Sequence, residues 1–144
     1  MSVFSTYKTL PVAARAVIAI SAGVAVGIAV FRTVLAFAPF QPPAGVTYWE
    51  GSLAYINWVK TLTTNDWYIL LATMLGGSFA GGFVTQKLTP PVNFPPPLIT
   101  GFTILFYGIV QFLAFYNPEW MTFAACFGCL FAAWVGGLLA RLSF

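Results

Sequence analysis

The sequence predicts an all-α fold, an integral membrane four-helix bundle with a short interfacial helix in its first outer loop. Hydrophobic residues make up 60% of the chain and charged residues 6%, with a mean hydropathy of +0.88, so most of it suits lipid better than water. Its six basic and three acidic residues also leave uncharged stretches long enough to cross a bilayer. Finally, the charges segregate. Lys8, Arg15, Lys87 and Arg141 fall on one side of such a bundle, while Glu50, Asp66 and Glu119 fall on the other with Lys60 and Arg32. This positive-inside pattern predicts a multi-pass protein of the bacterial inner membrane with both termini cytoplasmic.

The 144 residues accommodate a single transmembrane domain, since four spans of about 20 residues use more than half the chain. The first span is expected over 12–38. Lys8 and Arg15 followed by an apolar run imitate a signal peptide, but Arg32 interrupts the expected cleavage region and Pro39 would follow the cut, so the segment reads as an uncleaved span. Arg15 and Arg32 lie near its two ends, where both guanidinium groups can snorkel to the interfaces. Arg32 is alternatively a candidate for an ion pair with Glu50, Asp66 or Glu119 in a polar cavity.

The outer loop follows, with an interfacial helix expected over 46–64. Tyr48, Tyr55, Val59 and Leu62, and again Trp49, Leu53 and Ile56, recur at helical spacing. Tyr48, Trp49, Tyr55 and Trp58, together with Trp67 and Trp120 at span ends, suit the headgroup region, where a ring can be buried while its polar edge stays wet. The second span is expected over 67–86. The five prolines of the inner turn over 87–97 make a stiff connection, because proline cannot donate a backbone hydrogen bond and favours extended geometry. The third and fourth spans are expected over 98–116 and 120–140. Asp66-Trp67, Gly81-Gly82 and Lys87 are echoed by Glu119-Trp120, Gly136-Gly137 and Arg141, a likeness that shared span-end chemistry accounts for.

Small residues are the strongest pattern inside the spans. Gly128, Ala132 and Gly136 recur every four residues on the fourth span, flanked by Ala124 and Ala140; the second carries Gly76, Gly77 and Gly81, the first Gly23 and Gly27. In lipid, where hydrophobic association between helices is weak, such stripes let backbones approach closely, either within the bundle or against another subunit.

Chemistry is less legible. Histidine is absent, which removes the commonest general base, metal ligand and haem ligand. Cys126 and Cys129 have CxxC spacing, but a zinc site needs about four ligands, and Cys129 sits among small residues where a small hydrophobe fits. No catalytic residue, metal site or cofactor is therefore expected. Transport is disfavoured because Arg32 is the single ionisable candidate within a span. The basic balance reflects membrane orientation and does not imply nucleic acid. A lipid or quinone could lie between the aromatic-rich helices, but the 15 phenylalanines do not locate such a groove.

The Pro42-Pro43-Ala44-Gly45-Val46 run, Glu50-Gly51-Ser52-Leu53, the Gly76-Gly77 to Gly81-Gly82 stretch and the closing Ala132-Ala133-Trp134-Val135-Gly136-Gly137 resemble a family of small four-span bacterial membrane proteins. Thr73 stands where that family often has histidine. The resemblance implies four-helix architecture and carries over no catalytic residue. The expected role is a non-catalytic accessory or structural subunit of a larger energy-transducing membrane complex, in contact with lipids and other integral membrane subunits. The competing expectation is a stand-alone lipid- or quinone-binding protein with weak transport or redox activity.

Overall fold

A computed structural model describes residues 9–46, 52–89, 95–113 and 116–143. These contain five α-helices and no strand: α1 (Val12–Ala36), α2 (Leu53–Val59), α3 (Thr64–Leu88), α4 (Pro96–Gly108) and α5 (Glu119–Leu142), with a π-helical turn, Ile109–Leu113, extending α4. The helices α1, α3 and α5, with mean hydropathies of 2.1, 1.4 and 2.0, are each long and apolar enough to cross a membrane. That composition and length mark a membrane-spanning chain. The apolar stretch Pro96–Phe112 is shorter, about 25 Å at 1.5 Å per residue.

Each helix starts and stops for a local reason. Thr63 and Asp66 form a reciprocal capping box at the start of α3: the Asp66 carboxylate accepts from the Thr63 backbone N–H at 2.8 Å, and the Thr63 hydroxyl accepts from the Asp66 N–H at 3.4 Å. The Ser52 hydroxyl accepts from the Tyr55 N–H at 3.2 Å and caps α2. At the end of α1, the Gln41 amide donates to the Leu35 and Ala38 carbonyls at 3.1 and 3.0 Å, tying the chain beyond the helix back to its last turn. The chain then turns at Gly45, whose φ of +85° is costly for any residue with a Cβ, while the Val46 N–H bonds the Pro43 carbonyl at 3.0 Å. Proline stands at the first positions of α4, where the missing N–H has no intrahelical partner to lose.

The long helices pack around α3, which touches α1, α4 and α5, while α1 and α5 flank the α3–α4 pair. Contacts fix the directions. Gly23 and Gly27 meet Gly81 and Gly77, so α1 and α3 are antiparallel; Gly128 meets Leu75 and Gly137 meets Gln86, so α3 and α5 are parallel. Between them α4 runs the other way, with Gly101 against Cys129 and Gly108 against Met74. The bundle thus has an acidic end, holding Asp66 and Glu119, and a basic end, holding Arg15, Lys87 and Arg141. At the acidic end α2 seals the bundle by contributing Tyr55 and Val59 to a core with Phe31, Leu35, Trp67, Phe112 and Met121.

Candidate functional site

Two seams carry the close approach that small residues permit. A Cβ at Gly27 would stand 2.7 Å from the Gly77 carbonyl oxygen, and one at Gly77 would stand 2.7 Å from that of Gly27; Gly23 and Gly81 repeat the arrangement at 2.6 and 2.7 Å. Each glycine therefore lies against the backbone of its counterpart, where weak Cα–H···O contacts and dispersion replace the missing side chains. Beside this seam the buried Thr85 and Thr100 hydroxyls share a 2.7 Å hydrogen bond, so each has a partner. On the other side of α3, a Cβ at Gly82 would be 2.2 Å from the Ala133 carbonyl oxygen, and one at Gly136 would be 2.2 Å from that of Phe79.

Two details differ from the sequence pattern. Gly76 packs against nothing: a Cβ there has open space around it, because α3 directs Gly77 and Gly81 at α1 and turns Gly76 outward. On α5 the deeply buried row is Ala125, Cys129, Ala133, Gly136, Gly137 and Ala140, whereas Gly128 and Ala132 lie at its half-buried margin. Small residues fill both rows, so a four-residue period cannot choose between them.

The aromatic residues assigned to the headgroup region divide. Tyr55 is fully buried and Trp67 is 2% exposed, so both belong to the core. The Tyr55 hydroxyl donates to the Gln111 backbone carbonyl at 2.7 Å, and its ring meets Phe112 at a centroid distance of 6.5 Å. Trp58 is half-buried beside Tyr55, and Trp120 is exposed and packs on Tyr68 at 4.9 Å. Tyr48, Trp49 and Glu50 lie outside the described residues. Helix α2 is also shorter than expected, seven residues within the proposed 46–64.

Arg32 pairs with neither Asp66 nor Glu119. Its Nε donates to the Tyr107 hydroxyl and its guanidinium sits 5.7 Å from the Tyr107 ring centroid, while Phe31 meets the same ring edge-on. Asp66 is already engaged by its capping box. Arg32 is exposed, so its charge stays at the periphery of the bundle and the phenol gives it a neutral partner.

Sequence reasoning missed Gln111. It is fully buried in the π-turn, and neither its amide nitrogen nor its amide oxygen has a hydrogen-bond partner among the described residues. A π-turn has no hydrophobic period of its own, so one polar residue in an apolar run was the sole available signal.

Cys126 and Cys129 form no disulfide. Both are free thiols, Cys129 fully buried, and the described residues contain no cluster of three or more metal-ligating side chains. The double substitution Cys126→Ala/Cys129→Ala is expected to cost only about 1 kcal/mol, because it trims one small atom per site and only that of Cys129 is fully buried. Thermal unfolding in detergent measures that cost, and loss of function at normal assembly would instead reveal thiol chemistry. Comparison of the chain with protein-family models, curated proteins and solved structures found no match.

Proposed function

We propose that this chain is a non-catalytic accessory or structural subunit of a larger energy-transducing assembly in a bacterial inner membrane, with its basic end and both termini on the cytoplasmic side. The observation that carries the reading is the uncovered face of α3. This helix is surrounded by α1, α4 and α5, yet Tyr68, Ala72, Gly76 and Phe79 remain exposed along one side, with open space at Gly76. A small-residue surface on the most enclosed helix is a place where another subunit's helix can approach the backbone closely. The remaining glycine seams are occupied within the chain and offer no such surface.

Four crossings fit this role. Because α3 and α5 run in parallel, a chain that crosses the membrane along both must return between them, and α4 with its π-turn is the segment that does so. The expected result for Gly76→Leu is normal accumulation of the chain with loss of its co-migration with a larger complex on native gels. Unchanged co-migration would remove Gly76 from any interface and take this reading's main support with it.

A further inference from the structure

At the basic end, three side chains with hydrogen-bonding groups line one cleft. The cleft, of about 240 Å³, lies between the end of α3, the start of α4 and the end of α5, and its lining includes Gln86, Pro97, Trp134, Leu138 and Arg141. Its floor exists because residue 137 is glycine: a Cβ there would be 2.8 Å from the Pro97 ring, so α4 could not begin so close to α5. The Arg141 guanidinium, the Gln86 amide and the Trp134 indole N–H have no hydrogen bond or ion pair among the described residues. Lys87, by contrast, is engaged beside them, donating to the Ser143 carbonyl at 3.2 Å and lying over the Phe83 ring.

We propose that this cleft binds the phosphate headgroup of an anionic phospholipid. Donors dominate it: the guanidinium offers five N–H groups, the amide two and the indole one, with the amide oxygen as the single side-chain acceptor. The described acidic residues, Asp66 and Glu119, lie at the opposite end, so among the described residues Lys87 and Arg141 leave this end positive. Phosphate oxygens are acceptors only and match that set, with Arg141 placed to contact two of them at once. The apolar part of the lining decides the source of the phosphate. Pro97, Leu138 and the Trp134 ring give a glycerol backbone and the first acyl carbons a surface to lie on, which a free phosphate ion would not use. The site is a property of the chain alone and does not depend on its joining a larger complex.

Native mass spectrometry of the protein released from nanodiscs tests this directly. From discs of mixed phosphatidylglycerol and phosphatidylcholine, the wild type is expected to retain one phosphatidylglycerol in preference to phosphatidylcholine. Arg141→Gln should reduce that retention about fivefold, the effect of removing one cationic side chain at an anionic membrane surface. Trp134→Phe, which keeps the ring and removes the N–H, should reduce it less. Lys60→Gln, an exposed cation between α2 and α3, should leave it unchanged. Equal retention of the two lipids by the wild type would overturn the proposal whatever the variants do. So would undiminished retention by Arg141→Gln, or displacement of the lipid by millimolar inorganic phosphate, which would make the site one for the soluble ion.

Discussion

Gly136→Leu is expected to eliminate the folded protein, and to do so without reference to any partner. A Cβ at this position would sit 2.2 Å from the Phe79 carbonyl oxygen and 3.2 Å from the Phe83 backbone nitrogen. Both obstacles are main-chain atoms within a helix, so no rotamer change relieves the clash and α3 must separate from α5 along the seam. Overpacking against movable side chains costs about 1–3 kcal/mol. Here the lost seam adds to it, and a total above about 3 kcal/mol removes most of a small domain's margin. The comparison is Leu139→Ala, three residues along on a face that is 45% exposed, expected to cost less than about 1 kcal/mol. Accumulation after mild detergent extraction, followed by thermal unfolding of whatever accumulates, measures both. A Gly136→Leu protein as abundant and as stable as Leu139→Ala would mean that α3 and α5 are not packed at this seam.

Tyr55→Ala should be nearly as damaging, because Tyr55 belongs to the core and not to the membrane surface. Emptying a fully buried aromatic site costs about 3–5 kcal/mol, and loss of the hydroxyl leaves the Gln111 carbonyl without its partner. Tyr55→Phe separates the two contributions. It keeps the ring against Phe112 and removes only the hydrogen bond, so about 1–2 kcal/mol is expected. Unfolding midpoints in one detergent should therefore fall in the order wild type, Tyr55→Phe, Tyr55→Ala. If Tyr55→Ala unfolds with the wild type, α2 floats on the surface and the acidic end is open.

Tyr55 also shows where the sequence stops being informative. Its spacing from Val59 identifies a helix with one apolar face, and such a helix forms. Spacing cannot say whether that face meets headgroups or protein, because both bury an aromatic ring and both can satisfy a phenol. Trp67 was misplaced for the same reason: a tryptophan one residue after an aspartate reads as a span-end anchor, yet the first turn of α3 directs it inward. The long helices were legible because hydropathy, flanking charge and proline all act locally. The boundaries moved by three residues at most at either end of α3, where the Thr63-x-x-Asp66 box provides a start signal that hydropathy ignores. The third apolar segment departs more. Its hydropathy reads as one span to Tyr116, whereas α-helical geometry ends at Gly108, just before the π-turn. Glycine identity predicted the seams on α1 and α3 well, since Gly23, Gly27, Gly77 and Gly81 have no room for a side chain. It failed at Gly76 because adjacent glycines face directions about 100° apart on a helix, and composition does not record which of them faces inward.

The distribution of these seams along the chain also sets an order in time. The α1–α3 seam is closed by residues 23–81, all of which exist before α4 is made, so the first two long helices can pair as an antiparallel hairpin while synthesis continues. The outer face of α3 that receives Gly136 must then wait for about 55 further residues, roughly 3–11 s at ordinary elongation rates. During that interval the backbone around Phe79 and Gly82 is bare to lipid, and whatever guards the nascent chain has that groove to recognise. The half-built protein therefore displays, transiently and on the opposite flank of the same helix, a surface that the finished one conceals.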